Sequence, residues 1–238
     1  MKKLIQKILR KNGFQISKFP DEDSTIRMKM MEHFNIDTLF DVGANIGQYA
    51  FKMRTIGYQK KIISFEPVKS AFEGLKKAAL NDHNWLVNNY ALGDEDTTST
   101  INIANNSYSS SILNMLPVHL SSAPESKYVA TEEIEIKKID SIFSTFCAKE
   151  ESVMMKIDTQ GYEKNVLEGA TESLHKIKII QLEMSIAPLY ENEMTYLEMI
   201  KYLDNKGYQL FNLENGFTDS TTGQLRQVDG IFVQKHIL

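Results

Sequence analysis

The apolar run Thr38 to Val42 stops at Gly43-Ala44-Asn45-Ile46-Gly47, and a helical pattern of Ile46, Tyr49, Ala50 and Met53 begins inside that turn. Two glycines at such a junction mark backbone that turns sharply or approaches something closely. A helix starting there offers its unpaired N–H groups to a ligand. One strand later, Ser64-Phe65-Glu66-Pro67 places a carboxylate at the end of the apolar run Ile62 to Phe65. From that position an acid accepts the two hydroxyls of a ribose. Asp41 and Glu66 are therefore candidate site carboxylates, the plainer alternative being solvated strand ends.

The turn departs from the G-x-G-x-x-G pattern of dinucleotide binders, whose middle glycine lets a pyrophosphate press against backbone. Asn45 stands there instead. Asparagine tolerates left-handed backbone, but its side chain narrows the space for phosphates. A nucleoside without phosphates fits better.

The alternation continues. Strand 38–42 and helix 46–57 are followed by strand 61–65, a helix over 70–80 and strand 85–91, after a helix over 24–34 that leads in. Beyond residue 138 the pattern resumes with helix 139–146, strand 153–157, helix 162–175, strand 179–184 and helix 194–205. Strands that alternate with helices imply parallel neighbours and crossover connections. The last two strands, 208–213 and 228–234, are joined by a segment too short for a crossover helix, so the final one is expected to run antiparallel. The fold class is α/β: a doubly wound, Rossmann-like, seven-stranded and mostly parallel sheet ending in an antiparallel hairpin.

With 238 residues, 42% of them hydrophobic, one core is affordable and two domains would be cramped. We expect an N-terminal helical extension at 1–37 and a main domain at 38–238. The domain carries a polar insertion, rich in Ser, Thr and Asn, at about 94–135. Within it, Thr98 to Ala104 and Glu133 to Lys137 alternate with period two and could pair antiparallel, while 105–111 and 121–127 read as loops. Long insertions in compact domains tend to be functional, and this one is read as a lid over the site.

A net charge of -4 argues against a nucleic-acid partner. The single cysteine, Cys147, excludes an internal disulfide and a multi-cysteine metal site, and suits a reducing cytoplasm. Residues 1–19 interleave Lys2, Lys3, Lys7, Arg10 and Lys11 with Leu4, Ile5, Ile8 and Leu9. Such a helix either packs on the core or lies on an anionic membrane surface as a peripheral contact. The five histidines are scattered without the spacing of a zinc hydrolase, so no metal site is predicted from them, and no G-x-S-x-G elbow occurs.

Five segments together resemble the FkbM family of class I S-adenosylmethionine-dependent methyltransferases. They are residues 41–47, 64–67, Asn89-Tyr90-Ala91-Leu92-Gly93-Asp94, Lys156-Ile157-Asp158-Thr159-Gln160-Gly161-Tyr162-Glu163 and Val166-Leu167-Glu168-Gly169-Ala170. Gln160 departs from the glutamate that the family pattern often has. The resemblance implies S-adenosylmethionine as cofactor, with Gly43, Ala44, Asn45 and Gly47 under the methionine part, Glu66 on the ribose and Asn89 to Ala91 beside the adenine. It also implies O-methylation of a sugar, glycolipid or other small natural product, and places Asp158 at the methionine end facing the acceptor.

Asp158 is the candidate general base, since a hydroxyl nucleophile must lose a proton. Lys156, two residues earlier in the strand, shares its face and is available to fix the carboxylate. Ser110, His119, Glu163 and Glu183 are the candidate acceptor contacts, although Glu163 also suits a helix cap, Ser110 the cap of a short helix, and Glu183 with Asp158 would offer a divalent metal two oxygen ligands. Two rival readings stay open at this level: an NAD-dependent oxidoreductase, which shares the first strand, turn and ribose acid, and a non-catalytic cofactor-binding scaffold in a membrane-associated synthesis complex.

Overall fold

The computed structural model describes residue 7, residues 9–14, residues 19–148 and residues 150–238. The amphipathic reading of residues 1–19 falls largely outside that set. Among the described residues, no helix is long and apolar enough to cross a membrane.

Seven strands form one sheet. In chain order its elements are β1 (Thr38–Val42), β2 (Lys61–Phe65), β3 (Trp85–Asn88), β7 (Val153–Ile157), β8 (Ile177–Ser185), β9 (Tyr208–Asn215) and β10 (Gln227–Gln234). The spatial order is β3-β2-β1-β7-β8-β10-β9, parallel from β3 through β8, with β10 antiparallel to both neighbours. The helices from residue 22 onward among the described residues are α1 (Glu22–His33), α2 (Gln48–Thr55), α3 (Lys69–Ala79), α4 (Pro117–Ser122), α5 (Ile139–Phe146), α6 (Glu163–Glu168) and α7 (Tyr196–Asn205).

Because strand side chains alternate, register sorts the apolar residues into two layers. Leu39, Ile62, Met154 and Ile179 stand level with one another and pack against Met30 and Met31 of α1, Met53 of α2 and Leu75 of α3. Phe40, Ile63, Met155 and Ile180 face the other way, onto Ile139 and Phe143 of α5, Val166 of α6 and Leu203 of α7. Both faces of the central strands are thus covered, which is why they read as unbroken apolar runs. Cys147 is buried in the second layer and its thiol is pushed up to about 12 by that burial, as befits a small apolar filler.

The structure differs from the sequence reading in three places. The strand expected at 85–91 ends at Asn88; Asn89 turns back to donate to the carbonyls of Glu66 and Pro67, and Ala91–Leu92 (β4) joins a different sheet. In the insertion β5 (Thr97–Ala104) and β6 (Tyr128–Lys137) pair antiparallel as the period-two pattern predicts, but β6 starts at Tyr128 and not at Glu133, β4 joins them in the order β4-β6-β5, and α4 occupies part of the remaining loop. The helix expected over 162–175 stops at Glu168. A Cβ on Gly169 would lie 1.8 Å from the Gly93 carbonyl oxygen, so the chain passes too close there for any side chain, and Asp140 receives the N–H groups of Glu172 and Ser173 beyond it.

Candidate functional site

The site lies at the carboxyl ends of β1, β2, β7 and β8, where the strand order reverses and open α/β sheets bind ligands. Its floor is the turn after β1. Gly43 (φ 74°), Asn45 (φ 49°) and Gly47 (φ 95°) all adopt left-handed backbone, so asparagine does here what the sequence reading allowed. The N–H groups of Gly43 and Ala44 bond the Phe65 carbonyl, which holds the turn against the end of β2. Gly47 is packed beneath, its missing Cβ replaced by the Trp85 ring at 2.8 Å, and does not line the cavity.

Glu66 closes the next strand. Its carboxylate accepts the Asn45 N–H and the Val68 N–H, both at 2.8 Å, from a site only 6% exposed. Burial pushes its carboxyl up to about 7 against the pull of those two N–H groups. Above it lies a cavity of about 250 Å³ with apolar walls from Phe65, Pro67, Val68, Ala91, Leu92 and Ile101. Ser107, Tyr108 and Ser110 of the insertion complete the rim, and Asn45 Nδ2 ties the insertion down through the Ser107 carbonyl at 3.1 Å. Such a cavity, apolar in its walls with one carboxylate at the end of β2, suits a nucleoside: the ring system against the walls and the diol on Glu66.

A second, polar cavity of about 390 Å³ adjoins the first, sharing Gly43, Asn45, Tyr108, Asp158 and Glu183 with it. Register builds its base. Asp41, Lys156 and Gln181 stand level across β1, β7 and β8, and Glu183, Asp229 and Glu214 stand level across β8, β10 and β9. Lys156 Nζ lies 3.3 Å from Asp158 Oδ2 and 3.6 Å from Asp41 Oδ1. Asp41 is fully buried; burial pushes its carboxyl up while Lys156 and the Ser64 hydroxyl pull it down. It supports the site from below and lines neither cavity. Burial alone would neutralise Lys156, but Asp158 and Asp41 keep its ammonium charged.

The remaining candidates divide. Gly43, Asn45, Glu66, Ala91, Ser110, Asp158 and Glu183 line the first cavity and Ala44 the second. Asn89 serves the Glu66–Pro67 turn through its side chain. His119 and Glu163 are placed away from the expected acceptor contacts. His119 is buried, with its ring edge-on to Tyr190, and burial holds its imidazole below the usual range. Glu163 accepts the N–H of Thr159 and of Gly161 and the Thr159 hydroxyl, which ties the loop after β7 to the first turn of α6. Neither of these two side chains lines either cavity.

Sequence reasoning missed Tyr108, Arg27 and Asp229. Tyr108 sits in a polar loop with no pattern around it, and Arg27 lies on a helix far from the motifs. Asp229 did carry a signal, since it is an acid inside the apolar run Val228 to Val233. Among the described residues, no group of three or more His, Cys, Asp or Glu side chains is disposed to hold a metal ion.

Fold and site together define a doubly wound protein with a largely apolar cavity at its switch point, a buried carboxylate at its base and a second carboxylate fixed by a lysine beside it. The model of the methyltransferase FkbM domain matches residues 41–210, and the chain belongs to that family. Its cofactor is accordingly S-adenosylmethionine. No curated protein matches the sequence. Among solved structures it is similar to a precorrin-6y C5,15-methyltransferase from Geobacter metallireducens (12% identity, 94% of this chain and 95% of the other, TM-score 0.45). It is also similar to Aeropyrum pernix fibrillarin in complex with natively bound S-adenosyl-L-methionine (10% identity, 83% and 66%, TM-score 0.48).

Proposed function

We propose that the protein methylates a hydroxyl group on a sugar, glycolipid or other small natural product. The observation that carries this reading is Asp158, a carboxylate held by Lys156 at the junction of an apolar nucleoside cavity with a polar one. Bound S-adenosylmethionine supplies a sulfonium-activated methyl group. Glu66 takes the ribose hydroxyls, the walls formed by Pro67, Val68, Ala91 and Leu92 take the adenine, and the Gly43–Asn45 turn underlies the methionine portion. The acceptor enters from the polar cavity, at whose junction with the first stands Tyr108 of the insertion. An alcohol is a poor nucleophile until its proton leaves, so Asp158 contributes as general base, typically about 10²–10⁴-fold.

Calorimetric titration with S-adenosylhomocysteine tests the cofactor half. Wild type is expected to bind with micromolar affinity, and Glu66→Ala to weaken binding by about 100-fold, the loss of two charge-assisted hydrogen bonds. Binding of NAD⁺ in its place would overturn the assignment of the pocket. The catalytic half is tested by Asp158→Asn, which should keep S-adenosylhomocysteine binding and lose at least about 100-fold in turnover on a hydroxyl acceptor. Undiminished turnover would remove Asp158 from the role of base.

A further inference from the structure

Asp158 does not stand alone at the cavity junction. Glu183 of β8 lines both cavities with it, and its Oε2 accepts two amide N–H groups, from Gln160 Nε2 at 2.9 Å and Gln227 Nε2 at 2.7 Å. Gln160 gives its other N–H to Asp158 Oδ1 at 2.8 Å. The Tyr190 hydroxyl donates to Gln160 Oε1 at 2.7 Å, which fixes which way the amide points. A neutral amide in left-handed backbone (φ 57°) therefore bridges two carboxylates. Among the described residues Glu183 Oε1 has no hydrogen-bond partner.

The charged groups around Glu183 are unevenly matched. β7 brings Asp158 and Lys156, whose ammonium is committed to Asp158 and Asp41. β10 brings Asp229 directly opposite, α6 brings Glu163, and Glu214 of β9 is taken by Arg27 of α1. Among the described residues no cation forms an ion pair with Glu183, and Lys156 acts on it only as a shared, already paired charge. As an anion it would face Asp158 and Asp229 with only the shared charge of Lys156 to offset them, and like charges at such close quarters disfavour the ionised form. Burial, and then the charges of Asp158 and Asp229, hold its carboxyl well above the usual carboxylate range. Since both amides donate to Oε2, the proton belongs on Oε1.

We propose that the two carboxylates divide the work, Asp158 taking the proton of the acceptor hydroxyl while Glu183 keeps its own proton on Oε1 and donates it in a hydrogen bond to a neighbouring oxygen of the acceptor. Gln160 is the positioning residue that enforces the division. The inference rests on the reading of Asp158 as base and sharpens the acceptor class to molecules with a second oxygen beside the reacting hydroxyl, such as a vicinal diol. In the step itself a lone pair of the acceptor oxygen forms the bond to the methyl carbon, and the electrons of the broken C–S bond stay on sulfur. The hydroxyl proton passes to Asp158, and Glu183 ends with the proton it began with. Glutamine at position 160 follows: a glutamate would add a third carboxylate and replace two donated hydrogen bonds by repulsion.

The full chain, saturated with S-adenosylhomocysteine, tests this without an acceptor. Carboxyl ¹³C spectra of glutamate-labelled protein, with the Glu183 signal assigned by its loss in Glu183→Gln, should show Glu183 protonated at pH 7. Thermal unfolding from pH 5 to 9 gives the second readout. An acid whose folded pKa is raised contributes stability that is complete below its unfolded value and lost as pH climbs through the folded one. Glu183→Gln keeps an oxygen for both amides and N–H groups in place of the proton, so its Tm should fall less than that of wild type on the alkaline side. Gln160→Glu should fall more. An ionised Glu183 at pH 7, or Glu183→Gln destabilised equally at every pH, would overturn the division. Failure of the base reading would show separately, as turnover retained by Asp158→Asn.

Discussion

Replacing Gly43 by alanine is expected to cost about 3–4 kcal/mol of stability and to abolish cofactor binding. The residue has φ 74°, a region that L side chains enter at a cost of roughly 1–2 kcal/mol. The larger part is steric. An added Cβ would lie 1.9 Å from the carbonyl oxygen of Asp158 and 2.9 Å from its carbon. These are backbone atoms at the end of β7, tied to β1 by the Asp158 N–H to the Val42 carbonyl at 3.0 Å, and they cannot rotate away as a flexible side chain would. Relief requires β1 and β7 to part where the two cavities meet. Gly57 provides the control: its φ is 112°, but nothing lies within 4 Å of its Cβ position, so Gly57→Ala should cost only the backbone strain, about 1–2 kcal/mol. For a chain of this size the Gly43 variant should melt roughly 10 °C lower, judged from about 2–4 °C per kcal/mol. Equal Tm losses in the two variants would show that strain, and not the close approach of strands, is what the glycine serves.

Glu214→Ala should destabilise the fold by about 3–5 kcal/mol. Arg27 of α1 bonds Glu214 of β9 with both side chains almost wholly buried, at 3% and 6% exposure. The guanidinium also lies over the Tyr49 ring, 5.4 Å from its centroid. Removing the carboxylate leaves a buried cation facing only the edge of the carboxylate row, and the desolvation already incurred is no longer offset. The pair also links the helix that precedes β1 to the far edge of the sheet, so α1 should loosen as well. The double variant Arg27→Met with Glu214→Met removes both charges and should recover most of the loss. Calorimetric unfolding of the two singles and the double forms the cycle; a double variant as unstable as Glu214→Ala would mean that packing, and not the unpaired charge, set the cost.

The strands were legible because both faces of the central sheet are covered, so Leu39-Phe40, Ile62-Ile63 and Met154-Met155 are apolar without alternation. The turn at Gly43–Gly47 was legible because left-handed backbone leaves few residue choices. The missed boundaries have equally local causes. Asn89 ended β3 through hydrogen bonds to Glu66 and Pro67, residues distant in sequence. The helix after Asp158 ended where Gly169 meets Gly93, a contact no helical periodicity can announce.

Taken alone, the sequence determined the order of strands and helices in the main sheet, the family, and the place of Glu66 and Asp158 at strand ends, where both line one cavity. Each sits at a strand end within a short motif, and short motifs are set by local backbone requirements that one stretch of chain can display. Tertiary structure decided everything that depends on strand register. It set Asp229 and Glu214 beside Glu183, aimed the Gln160 amide at two carboxylates, brought Arg27 across the sheet, and kept His119 and Glu163 out of the lining of both cavities. Electrostatics among those groups falls off with distance in space and not with separation along the chain, and only the folded sheet sets those distances.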